Sequence, residues 1–285
     1  MKKIIITLLV IIIVIGGIGA YAYYDSTNNA PTRFQVRYET VNSSEVPAEL
    51  DGLQIVFLSD IYYNQFMDNE RLTAIVQLVN DLNPDIIISL GDLFDNPTTN
   101  PPTAEVQEQL TELLKALQAP LGKFAVYGEQ DEESATIKQL YDDIMFNSNF
   151  EVLDNQTFRI SNKSTAYINL VGLDNPLSGS VDIDTAFNNI NQDTYTIVAC
   201  HTPDIADQVP SAYVDLMVSG HSLGGQLYLP LIGALKHFDY AEKYNHGQYT
   251  ISKMILDVTN GLGTTQYDAR LFCDPEIVVY LFKKS

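Results

Sequence analysis

Val214-Asp215-Leu216-Met217-Val218-Ser219-Gly220-His221-Ser222-Leu223-Gly224-Gly225-Gln226 is an apolar run that breaks into Gly-His and then a paired-glycine turn. The run reads as a buried strand. The turn after it leaves an imidazole at a sheet edge, with backbone free to approach a ligand. Alone, this is a weak signal. Three other apolar runs end in the same way: Leu53 to Ser59 before Asp60, Asp85 to Leu90 before Asp92, and Thr196 to Cys200 before His201. Core packing does not require four potential metal ligands at the C-terminal tips of four different strands, whereas a metal site does.

Around these strands the chain alternates strand and helix. Helical periodicity covers Asn69 to Leu82 (Leu72, Ile75, Val76, Val79) and Thr103 to Leu117, the latter with Thr103 as N-cap. Lys123 to Tyr127 reads as a strand running into Gly128-Glu129-Gln130-Asp131, and Ala135 to Met145 as a helix. Shorter β-rich segments follow, then a helix over Asp182 to Ile190 and late strands at Gln226 to Leu229, Met254 to Val258 and Glu276 to Phe282. The expected fold class is α/β, with two packed sheets and helices outside them in one domain.

The N-terminus sets the topology. Lys2-Lys3 precede the uncharged run Ile4 to Ala20, and Tyr21 to Tyr24 extend it with aromatics. The run is long enough to span a bilayer, and the lysines favour a cytoplasmic N-terminus with the remainder outside. The rival reading is a signal peptide cleaved near Ala22, at the small-x-small triplet Ala20-Tyr21-Ala22. The domain expectation is therefore a membrane anchor or signal sequence over 1–24, a linker and edge segment over 25–48, and one folded domain over 49–285.

Composition narrows the partners. With 36 acidic against 16 basic residues the net charge is −20, and no basic footprint for nucleic acid exists. The two cysteines, Cys200 and Cys273, form neither a disulfide framework nor a zinc-ribbon spacing and are expected to be buried thiols. The expected contacts are the membrane, through the N-terminal helix, and a phosphate-containing or cell-surface ligand.

The ordered blocks Ser59-Asp60-Ile61-Tyr62, Gly91-Asp92-Leu93-Phe94-Asp95, Gly128-Glu129-Gln130-Asp131, His201-Thr202-Pro203 and Gly220-His221-Ser222-Leu223 resemble those of the calcineurin-like metallophosphoesterases, nearest to their small membrane-anchored bacterial branch. The resemblance runs from about Leu50 to Leu281. It implies a four-layer α/β/β/α sandwich of two mixed sheets and a dinuclear metal site that hydrolyses phosphate esters.

Three departures bear on that implication. The family's first block is Asp-x-His, and its His binds the first metal; Tyr62 stands there. The third block is Gly-Asn-His, whose Asn binds the second metal and whose His serves the phosphate; Glu129 and Gln130 stand there. The last block is Gly-His-x-His, and Leu223 replaces its second His. Leucine offers no ligand atom, a Gln amide transfers no proton at pH 7, and a Tyr with pKa near ~10 is a neutral phenol.

Asp60 and Asp92 survive on the first-metal side, and Asp92, His201 and His221 with Glu129 on the second. Two imidazoles and two carboxylates suit one divalent Zn, Mn or Fe. The expected site is thus mononuclear (Asp92, Glu129, His201, His221, with Asp60 beside it), a second metal is doubtful, and no residue is assigned as catalytic. Two functions compete. One is a catalytically impaired family member, a pseudoenzyme that binds a ligand at the cell surface. The other is an active phosphoesterase for a phosphomono- or diester, lipid-linked ones included, in which Asp60, Asp92 and Asp95 weakly hold a second ion.

Overall fold

A computed structural model describes residues 2–188 and 190–285. Helix α1 (Lys2–Asn28) is followed by strand β1 (Gln35–Ser43), β2 (Gln54–Leu58), α2 (Asn69–Asp81), β3 (Ile86–Ser89), α3 (Ala104–Lys115), β4 (Gly122–Ala125), α4 (Ala135–Asn147) and β5 (Phe150–Val152). Strands β6 (Gln156–Ile160) and β7 (Ile168–Gly172), helix α5 (Ile183–Phe187), and strands β8 (Thr196–Ala199) and β9 (Leu216–Ser219) come next. A small hairpin of β10 (Tyr228–Leu229) and β11 (Gly233–Ala234) precedes β12 (Gly247–Ile251), β13 (Met254–Val258) and β14 (Glu276–Lys284).

The strands form two six-stranded mixed sheets, ordered β1-β14-β2-β3-β4-β5 and β12-β13-β9-β8-β7-β6. Period-two alternation builds the layers. On β2, Ile55 and Phe57 face the second sheet, where they meet Leu170, Ile197 and Leu216. Val56 and Leu58 face outward onto Leu72, Ile75 and Val79 of α2 and Leu110 and Leu114 of α3. The four-layer expectation holds, but the outer layer on the second sheet is thin. The helix expected over Asp182 to Ile190 is only Ile183–Phe187, Asn189 lies outside the described residues, and turns such as Pro203–Asp207 cover the rest of that face.

Two elements differ from the sequence reading, the end of α1 and the strand expected over Gln226 to Leu229. The helix does not stop at Tyr24. Ser26 and Thr27 hydroxyls bond the Tyr23 carbonyl and the Asn28 amide bonds that of Tyr24, so the polar tail satisfies the helix C-terminus itself. The edge part of the segment expected over 25–48 is β1, which pairs in parallel with β14 over nine residues at the margin of the first sheet. Expected strand Gln226 to Leu229 joins neither main sheet and survives only as β10. Cys200 and Cys273 are buried and free, as expected.

One ionic contact ties the sheets together. Arg37 on β1 forks onto Asp257 of β13, with both Nη atoms 2.8 Å from a carboxylate oxygen, and also meets Glu276 at 3.1 Å. Asp257 is fully buried and accepts the Tyr280 hydroxyl at 2.5 Å. A carboxylate there depends on its partners, since removing one side of a buried pair strands the other. Arg37→Met is therefore expected to destabilise the fold by roughly 3 kcal/mol in denaturant unfolding, with most of the loss recovered in Arg37→Met/Asp257→Leu.

Candidate metal centre

The site lies where β2, β3, β4, β8 and β9 end. The loops there interlock through the backbone: Asp60 N–H donates to Gly91 O at 3.0 Å, Tyr62 N–H to Asp92 O at 3.2 Å, and Gly220 N–H to His201 O at 3.0 Å. Asp131 clamps two of them, since its carboxylate accepts the N–H groups of Asp92 and Gly128 at 2.8 Å and of Leu93 at 2.9 Å. The loops approach so closely that a Cβ on Gly128 would collide with the Asp92 carboxylate, and one on Gly220 with Ser59 and Asp60.

Four predicted ligands converge. One donor atom from each of Asp92, Glu129, His201 and His221 falls in a cluster whose members are all within 4.8 Å of one another. His201 Nε2 and His221 Nδ1 stand 2.9 and 3.0 Å from Glu129 Oε2, and His201 Nε2 stands 3.5 Å from Asp92 Oδ2. The tautomers are fixed from outside. His201 Nδ1 lies 2.6 Å from Leu90 O, and His221 Nε2 lies 2.8 Å from Asp239 O. A carbonyl only accepts, so each of those nitrogens carries a proton, and the opposite nitrogen turns its lone pair inward.

Those inward atoms test the fit of a metal. Glu129 Oε2, His201 Nε2 and His221 Nδ1 are buried, and none has a partner at hydrogen-bonding angles. Three acceptor atoms crowded this closely repel one another unless a cation sits among them. Tetrahedral ligands at ~2.0–2.2 Å from a zinc stand roughly 3.3–3.6 Å apart; the His201–Asp92 distance of 3.5 Å falls there, and the two Glu129 contacts at 2.9 and 3.0 Å are shorter. Protons are the only substitute for a metal. Burial acts to lower both histidine pKa values, yet Asp92 and Glu129 raise His201 well above its usual value, and Glu129 raises His221. Burial likewise works to raise Glu129, but the two imidazoles hold it well below the ordinary carboxylate range. The donor set fits a divalent ion of the Zn, Mn or Fe kind.

The neighbouring first-metal position is built differently. Tyr62 is fully buried, and its hydroxyl donates to Asp92 Oδ2 at 2.9 Å and stands 3.3 Å from Asp60 Oδ1. Burial first, then the charges of Asp92 and Asp60, push its pKa well above the usual phenol value, so it is a neutral donor and no ligand. Asp60 is not drawn into the cluster, as its other oxygen accepts the His221 N–H at 3.0 Å. Asp95 is also engaged elsewhere, accepting the Thr265 hydroxyl at 2.8 Å and the Asn96 amide at 2.7 Å. Both of those contacts fall on Asp95 Oδ1, and its Oδ2 is buried without a hydrogen-bond partner. Leu223 is buried, and its carbonyl accepts from Arg270 at 2.8 Å. Gln130 donates its N–H to Asp92 Oδ1 at 3.0 Å and turns its side-chain oxygen to the Asn96 N–H.

Sequence reasoning does not assign three contributors: the Tyr62 hydroxyl as a bridge between carboxylates, the Asp131 clamp, and Arg270. Arg270 is fully buried and donates to the carbonyls of Leu223, Asn260 and Gly263. Arg270 is the single basic residue between Gly261 and Cys273, which is the available signal for it; an acid directly after Gly128-Glu129-Gln130 is the one for Asp131.

Tyr62→Phe removes the donor between two buried carboxylates and is expected to destabilise the fold by about 1–3 kcal/mol. Millimolar Mn should return part of that loss in thermal unfolding. A variant as stable as the parent, with or without Mn, would mean that the hydroxyl does not hold the carboxylates apart.

Comparison with known proteins gives the family. The family model for calcineurin-like phosphoesterases matches residues 53–225. The metallophosphoesterase YkuE of Bacillus subtilis is 29% identical over 270 residues, 95% of this chain and 91% of that protein. The phosphodiesterase YaeI of Escherichia coli is 28% identical, covering 79% of this chain and 80% of its own. The UDP-2,3-diacylglucosamine pyrophosphatase LpxG of Chlamydia muridarum is 25% identical over 81% of this chain and 84% of its own. Among solved structures, a dimetal phosphatase from Danio rerio aligns with a TM-score of 0.44 at 10% identity, covering 74% of this chain and 88% of that one. This chain belongs to the calcineurin-like phosphoesterase family.

Proposed function

We propose that the protein is a membrane-anchored metallophosphoesterase-family member that holds one divalent ion and has lost most or all of its hydrolytic power, serving as a receptor for a phosphate-bearing ligand at the outer face of the membrane. The observation that supports this reading is the Tyr62 hydroxyl, which donates to Asp92 and stands 3.3 Å from Asp60, the two carboxylates that the family resemblance assigns to the first metal.

When bound by Asp92, Glu129, His201 and His221, the ion would act as a Lewis acid on a phosphate oxygen. The chain's own residues restrict proton transfer around it. Leu90 O and Asp239 O keep both imidazole lone pairs turned inward, so neither histidine is free to shuttle a proton. Gln130, at the position of the family's catalytic His, has an amide in place of a titratable ring. Lys236 Nζ lies 4.2 Å from the centre of the Phe238 ring, which packs on His221, so the side chain is a cation near the cluster of the kind that suits phosphate binding; burial lowers its pKa, and the charges of Asp95 and Glu129 oppose that shift. The outward orientation is supported by Lys2-Lys3 ahead of the apolar run of α1.

A second reading is an active phosphoesterase working with a single metal on a phosphomono- or diester. The intact four-residue cluster favours it, as do the activities in the names of the YaeI and LpxG relatives. The two readings separate in a turnover assay with bis(p-nitrophenyl) phosphate and p-nitrophenyl phosphate after Mn or Zn loading. The impaired reading predicts that the parent chain is no faster than Asp92→Asn, and that Tyr62→His/Leu223→His gains at least tenfold. Parent turnover that is abolished by Asp92→Asn would overturn it in favour of the active enzyme.

A further inference from the structure

The hairpin beside the metal centre carries apolar side chains that nothing among the described residues covers. Pro230, Leu231 and Ile232 join β10 to β11; Leu231 is fully exposed, Ile232 is 74% exposed and Leu235 is 53% exposed. Leu231 also holds a left-handed backbone, φ +73°. A water-facing tip in that conformation would ordinarily carry Asn or Gly. Clustered exposed aliphatics at such a tip mark a contact surface.

Its place in the fold identifies the partner. Tyr228 N–H donates to Leu271 O at 2.8 Å, so the hairpin base is bonded to the loop that carries Phe272, itself 64% exposed. That loop is seated on α1: Arg270 N–H donates to Ser26 O at 2.9 Å, and a crevice of about 390 Å³ between them is lined by apolar residues such as Ile18, Tyr21 and Phe272 and by the charged Asp25, Arg33 and Asp274. The apolar stretch of α1 from Ile4 to Tyr24 is roughly 30 Å long at 1.5 Å per residue, one hydrocarbon thickness. Tyr21, Tyr23 and Tyr24 at its outer end are exposed in the manner of an interfacial aromatic belt. The Phe272 loop therefore touches α1 at the level of the bilayer surface, and the hairpin continues that apolar margin.

We propose that the hairpin tip (Leu231, Ile232, Leu235) and Phe272 dock into the outer surface of the bilayer that α1 crosses. This rests on α1 as the anchor and is independent of how many metals the site holds. The docked element also borders the metal centre. Ala234 packs on Gly225, the Phe238 ring lies 5.6 Å from the His221 ring, and Asp239 O fixes the His221 tautomer. Docking would hold this margin of the site at headgroup level. The acidic surface, net charge −20, argues for zwitterionic rather than anionic lipid.

The chain contains no tryptophan, so a single introduced indole reports its own surroundings. The full-length Leu231→Trp variant, in phosphatidylcholine vesicles, is compared with Phe146→Trp, a position on α4 that is 80% exposed. Brominated phosphatidylcholine should quench the Leu231→Trp emission at least twofold, with a blue-shifted maximum, and leave Phe146→Trp nearly unchanged. Equal, water-like emission from both would overturn the proposal. So would a shift that follows chain density and ignores bromination, since that result would assign the patch to a second copy of the chain. A chain that fails to float with the vesicles would overturn it together with the anchor, whatever the metal and turnover assays return.

Discussion

Mutual repulsion among electron-rich atoms is the constraint on which the site depends. Glu129 Oε2 stands within 3.0 Å of two imidazole nitrogens whose lone pairs are turned toward it by carbonyls on the far side of each ring. Without positive charge in the middle, that arrangement would push itself apart. The surrounding structure holds the atoms together by pinning the loops that carry them, through the Asp131 clamp and through glycines whose missing Cβ lets backbone pass close to carboxylate. A fold that orders acceptors in this way is preorganised for a cation.

The same loops carry backbone strain. Asp60, Tyr62, Asp92, His221 and Leu223 all have φ between +51° and +65°. Left-handed backbone at non-glycine residues costs of order 1–3 kcal/mol each and persists where the surroundings enforce it. Tyr62 and Leu223 share this backbone with the ligand-bearing positions, and the Tyr62 hydroxyl donates to Asp92 and stands 3.3 Å from Asp60. On the proposed reading these two side chains close the first half of a two-ion site.

Much of this site is legible in the sequence because strand ends are sharp features. The runs before Asp60, Asp92, His201 and His221 are short and apolar and end in Gly or in a ligand, so their tips can be located without coordinates. Glu129 can be placed from its block alone. Asp60 is legible as a site residue but not in its role, since its oxygens answer to the His221 N–H and the Tyr62 hydroxyl, contacts that span 161 and 2 positions of sequence. Tautomer-fixing carbonyls carry no sequence signal at all, because every residue has one. The full length of α1 is hidden for a simpler reason. Ser26, Thr27 and Asn28 read as linker by composition, yet their side chains bond back to the helix they extend.

On the proposed reading Tyr62 closes the first position and leaves the centre room for one ion per chain. Elemental analysis of the full-length protein, loaded with Zn or Mn and freed of excess metal, tests this directly beside a His221→Ala control. The structure predicts about one metal per parent chain and a clear loss in the control. Two metals per chain would contradict it, because Tyr62 could then not be closing the first position, and none would show that the converging acceptors are held by protons alone.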